Sequence, residues 1–159
     1  MDNAQEALLA KELVKAGKLG GKLGGGPAGS IGGWLGGIIA SKVLPTETCE
    51  QQVIVRQPLQ TVLTKMATFL ASAGRLAGED EAAPSDFPSL TGVVGAGFFN
   101  MNPAAVQVEV LIATDRACTV RIRAAAKESL IRQHAAEKAV QRVIDYLHTL
   151  GAQPLGRCA

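Results

Sequence analysis

Eleven of the 18 glycines in this 159-residue chain fall between Gly17 and Gly37, and they recur at helical spacing. Gly17, Gly21 and Gly25 stand four apart, and Gly29, Gly33 and Gly37 repeat the spacing beyond the Gly26-Pro27 break. A glycine inside a helix costs about 1 kcal/mol relative to alanine. A series of them is sustained where another backbone lies flush against the bare face, as in small-xxx-small packing. Residues 1–45 therefore read as a glycine-zipper helical hairpin, two helices joined at Pro27 and meeting through their glycine faces. The competing reading is a flexible, poorly ordered glycine-rich tail.

The side chains outside the glycine stripes carry the chemistry of this segment. Lys11, Lys15, Lys18 and Lys22 fall on one stripe of the first helix, beside leucines, and Trp34 lies among Ile31, Leu35 and Ile38 on the second. Lysines beside apolar residues suit an anionic membrane surface, where each contributes about 1 kcal/mol, and tryptophan suits an interfacial position. The same residues, with Gly17, Gly21, Gly25, Gly29, Gly33 and Gly37, would equally serve association of the chain with copies of itself.

Past Pro45 the composition becomes that of an ordinary globular domain, 46–151, followed by a loose tail, 152–159. Alternation predicts a strand at 50–56. Leu59, Val62, Leu63, Met66, Phe69 and Leu70 then share one side of a helix opened by Pro58. The acidic, proline-containing stretch 78–88 reads as a loop. Strands are predicted at 90–99, 105–114 and 118–125, and a closing helix at 128–150, with Gly151 as its cap. The order β-α-β-β-β-α predicts an α+β fold, an antiparallel four-stranded sheet with two helices on one face.

Parity constrains the register. Val106, Val108, Val110 and Ile112 share one face of their strand, and Cys118, Val120 and Ile122 share one face of the next. Paired positions must then sum to an even number. This argues against a two-residue Asp115-Arg116 turn and for a three-residue loop, pairing Val110 with Ile122 and Glu109 with Arg123.

Several function classes are disfavoured. A formal charge of +2 is too small for a general nucleic-acid binder. Cys49, Cys118 and Cys158 form no CxxC pair, and His134 and His148 lie about 21 Å apart on one helix, so neither a metal site nor a bound cofactor is expected. Cys49 and Cys118 stand at strand ends, where a bridge between them remains open. The run Gly92–Gly97 is not a phosphate loop, because no helix follows it. Nothing resembles a secretory signal, and the expected location is cytoplasmic or membrane-peripheral.

Arg121 and Arg123 are the candidate contacts for a small anion, against a plain salt-bridged exterior with Glu109. The sequence thus points to a non-enzymatic protein in which the glycine-rich hairpin associates with a membrane or with its own copies. The alternative is a soluble small-ligand-binding domain, with the hairpin packed on its own sheet or on a second subunit.

Overall fold

The computed structural model describes residues 6–15, 43–78, 85–96, 102–128 and 133–155. Gly17, Gly21, Gly25, Gly29, Gly33, Gly37, Lys18, Lys22, Trp34 and Cys158 lie outside them, so the glycine-face contact and most of the lysine stripe fall beyond the described residues. A first helix, α1, spans residues 6–15. It is followed by β1 (Thr46–Val55), α2 (Leu59–Ala73), β2 (Gly74–Leu76), β3 (Ser89–Ala96), β4 (Asn102–Ala113), β5 (Cys118–Lys127), α3 (Ala135–Thr149) and β6 (Ala152–Pro154).

These strands form one antiparallel sheet of six, in the order β2-β3-β4-β5-β1-β6. The expected four strands are the central ones. The two additions are three-residue edge strands, too short to leave a periodic signal. β2 follows α2 without a linker, and two glycines permit this. A side chain at Gly74 would collide with the Val93 carbonyl, and one at Gly92 would crowd the Arg75 carbonyl. β6 pairs Ala152 with Val55 where a loose tail was expected. Gly151 makes that return, at φ +83°, donating its N–H to the His148 carbonyl at 3.0 Å.

One face of the sheet carries the main core. Val62, Met66 and Leu70 of α2 recur once per turn and are fully buried. Ala136, Ala139, Val140, Val143 and Leu147 of α3 do the same. Both helices pack on Val53, Val55, Val106, Val108, Val120 and Ile122. Phe69 of α2 stacks on Tyr146 of α3 with ring centroids 4.5 Å apart. The core is therefore aliphatic and alanine-rich, with aromatics at its margin.

The second correction concerns α1. It does not belong to a self-contained helical hairpin; it lies on the opposite face of the sheet from α2 and α3. Leu8 and Leu9, both buried, rest on Val93, Ala105 and Ala125, beside Ala77. Small residues on three adjacent strands let a helix approach closely there. Burying two leucines stabilises this seat by about 3–6 kcal/mol. Glu12 pairs with Arg75 at 3.0 Å and Glu6 with Lys127 at 3.5 Å.

The even-sum register holds for the body of the β4–β5 ladder, shifted by two. Val110 pairs with Val120, Val108 with Ile122 and Glu109 with Arg121. The Asp115-Arg116 turn that parity argued against does form. Thr114 donates its N–H to the Ala117 carbonyl at 2.8 Å, and the Thr114 hydroxyl closes the turn by accepting the Ala117 N–H at 3.0 Å. Its odd sum persists to Ile112–Thr119, and a bulge between Val110 and Ile112 restores the even sum beyond.

Candidate functional site

Register brings the chemistry of this molecule to the face of the sheet on which α1 lies. Successive rows across that face run from apolar to polar and back to apolar. The Val93–Ala105–Ala125 row lies under α1. The next holds Thr91, Gln107, Arg123 and Glu50, and the one after it Ser89, Glu109, Arg121 and Gln52. The last holds Ile112, Thr119 and Ile54.

Thr91, Gln107 and Glu109 are at most 3% exposed. A sheet face of this kind ordinarily leaves such groups in water, because burying a charge is costly unless it is paired and hydrogen-bonded. Glu109 meets that condition. Its Oε1 accepts from the Ser85 hydroxyl at 2.7 Å and from the Gln107 amide at 3.3 Å. Its Oε2 accepts from Arg121, at 2.7 Å from Nε and 2.6 Å from Nη2. Burial by itself would raise the Glu109 carboxyl. The bonds from Ser85 and Arg121, with the charges of Arg121 and Arg123, hold it below the ordinary carboxylate range.

Arg121 and Arg123 therefore stand together, as their spacing on one strand required. Arg123 differs from its neighbour in being half-exposed. Its Nη1 lies 3.9 Å from Glu109, and its Nε donates to Glu50 at 2.6 Å, where the Glu50 side chain is 44% exposed. One guanidinium is thus locked to a buried carboxylate, and the other is held by a carboxylate that water reaches.

A second polar cluster, missed in the sequence, lies at the N-terminus of α3. Residues near 128 were expected to begin that helix. Instead Glu128, buried just beyond β5, accepts the N–H groups of Gln133 at 2.5 Å and Ala135 at 2.9 Å. Glu47 of β1 accepts the Ala136 N–H at 3.0 Å, and His134 Nδ1 lies 3.2 Å from the same carboxylate. His134 has φ +52° and its side chain makes no cap. Two strand ends thus satisfy helix donors that the local sequence leaves open. Burial would raise the Glu128 carboxyl, but the N–H groups of Ala135 and Gln133, the Glu47 side chain and the His134 charge hold it low. Pro45, Thr46, Glu47, Glu128 and His134 line a cleft of about 230 Å³ here. Every carboxylate oxygen in it already accepts a bond or contacts His134, so the cluster serves as a cap. No spacing rule would have found it, because its members come from three elements.

The remaining sequence candidates stay apart. Lys11 and Lys15 are exposed on α1. Cys118 is buried, donates to the Gln57 carbonyl at 3.3 Å and has its thiol pushed up by burial. Cys49 pairs with Ala124 while Cys118 pairs with Val55, six residues along β1, and no disulfide joins them. His134 and His148 lie at opposite ends of α3. Among the described residues, no three His, Cys, Asp or Glu side chains gather as a metal site. No helix among them is long and apolar enough to cross a membrane.

No family model and no curated protein matches the sequence. Solved structures with a distant likeness include two. One is a Thalictrum flavum norcoclaurine synthase point mutant in complex with a transition-state analogue, 10% identical over 67% of this chain and 94% of that one, with a TM-score of 0.34. The other is Ara h 8.0201, 9% identical over 67% and 95% of the two chains, with a TM-score of 0.36. Likeness at that level says nothing about activity, and the reading of function rests on the geometry of this chain alone.

Proposed function

We propose that this chain is a non-enzymatic small-ligand-binding domain. Its binding face is the second face of the sheet, with Arg121 and Arg123 as the anion contact and α1 packed alongside. One observation carries this reading: polar and charged side chains are buried on a sheet face that could have been left apolar under a helix or solvated without one. Buried polar groups are the informative exceptions in a folded chain, and a buried ion pair is weak evidence for stability as such. Arg121 is fixed by Glu109, so its guanidinium is oriented in advance. Arg123 reaches water beside Glu50, and a ligand anion would compete with that exposed pair, which is worth about 0–1 kcal/mol.

The competing reading makes the glycine-rich segment an association element for a membrane or for copies of the chain. α1 counts against a freely available first helix, because its two leucines are spent on the sheet.

The test is calorimetric titration of the full chain with acetate and with inorganic phosphate. Binding of either is expected to fall at least tenfold in Arg123→Gln. It is expected to tighten about two- to fivefold in Glu50→Gln, which removes one competing carboxylate. Replacing Lys11, Lys15, Lys18 and Lys22 with Gln should leave it unchanged. Absence of anion binding, or binding that follows the lysines and not Arg123, would overturn the proposal.

A further inference from the structure

The polar strip ends at an apolar fringe. Ile112 is 63% exposed and Leu155 is 52% exposed, two of the four most exposed large apolar side chains among the described residues. Both belong to this face. Ile112 pairs with Thr119 across the bulge, and Thr119 pairs in turn with Ile54. Leu155 donates its N–H to the Gln52 carbonyl, which places it beside the Arg121–Gln52 row. Strand geometry puts the Ile112–Thr119–Ile54 row about 7 Å beyond Arg121.

The bulge makes this arrangement. Without it Ile112 would point to the core face with Val110 and Val108, as the even numbering of the strand suggests. One inserted residue turns Ile112 onto the second face, next to the guanidiniums, and leaves it exposed. An isolated exposed isoleucine needs no explanation. Three apolar side chains bordering two arginines form a surface with a charged end and an apolar end.

We infer that the ligand of this face is an amphipathic anion: a carboxylate that meets Arg121 and Arg123, with an alkyl or aryl tail lying across Thr119 onto Ile54, Ile112 and Leu155. The inference rests on the anion-binding reading above and adds the ligand's class to it. A free ligand fits better than a bilayer. The two guanidiniums sit side by side on β5, between the apolar fringe and the seat of α1.

The experiment is titration of the full chain with acetate, hexanoate and octanoate at one ionic strength. A methylene that is half buried on such a surface tightens binding roughly twofold, so octanoate should bind roughly sixtyfold tighter than acetate. Ile112→Asn and Leu155→Asn replace exposed side chains. They should flatten this dependence on chain length while leaving acetate binding as it was.

If acetate binds and chain length has no effect, the amphipathic ligand is wrong and the anion site stands. A chain-length effect untouched by both substitutions puts the tail elsewhere and also overturns it. So does binding to phosphatidylglycerol vesicles with no response to free octanoate. If no anion binds, both readings fall together.

Discussion

Replacing Arg121 with methionine keeps the stem of the side chain and removes the charge that satisfies Glu109. Losing one partner of a fully buried ion pair costs about 3–5 kcal/mol. Arg121 keeps 19% of its side chain in contact with solvent, and Ser85 and Gln107 would still donate to Glu109, which lowers the expected loss to about 2–3 kcal/mol. The loss should depend on pH. In the native chain the Glu109 carboxyl is held low, so its contribution is present above its unfolded-state value and disappears as pH falls through its folded-state value. In the variant, burial is offset only by Ser85, Gln107 and the charge of Arg123, the carboxyl moves up, and the penalty shrinks as protonation neutralises it. Urea unfolding at pH 7 and pH 4 reads both effects. The double variant Arg121→Met/Glu109→Gln should recover most of the stability at pH 7, giving a coupling of about 2 kcal/mol. A loss below 0.5 kcal/mol at pH 7, or the same loss at both pH values, would mean that the pair behaves as a solvated surface bridge, and the reasoning would fail.

Other substitutions test the supports of the site. Gly74→Ala drives a methyl group into the Val93 carbonyl and should cost about 2–4 kcal/mol in urea unfolding, from overpacking against backbone; a neutral effect would mean that β2 does not run against β3. Leu9→Ala should cost about 2–4 kcal/mol by emptying the seat of α1, whereas no change would detach α1 from the sheet. Acidification should strip the Glu128 cap from α3, since Glu128 is held low and loses its bonds only as pH falls through that lowered value. Hydrogen exchange should show Gln133 and Ala135 protected at neutral pH, unlike ordinary first-turn amides, and opening in acid before the amides of β4 and β5. Equal protection at pH 7 and pH 3 would refute the cap.

Much of this architecture was legible wherever a side-chain period ran long enough. The four central strands and the apolar stripes of α2 and α3 could be read from alternation and helical spacing. Parity placed Glu109 among the arginines, though opposite Arg121 and not Arg123. The error is physical: a tight turn at Asp115-Arg116 and a matching core face are incompatible in a regular ladder, and the bulge at residue 111 reconciles them. Nothing in Val110-Leu111-Ile112 signals a bulge, because all three residues are good strand formers. The start of α3 was misplaced because the residues from Glu128 suit a helix, whereas Glu128 acts on α3 from outside it. β2 and β6 were missed because three residues carry no period, and Gly74 is explained only by the Val93 carbonyl beside it. The glycine ladder dominated the reading of the N-terminal segment, yet the part of it described here is held by Leu8 and Leu9 on three small residues far along the chain.

The central claim is that Arg121 and Arg123 form an anion contact on the second face of the sheet. Side-chain nitrogen NMR of the arginine Nε groups during acetate titration tests it most directly. The Nε resonances of Arg121 and Arg123 should shift together with a common saturation, while those of Arg75, Arg116 and Arg142 stay still. A uniform drift of all arginines, or a response confined to residues away from β5, would contradict it.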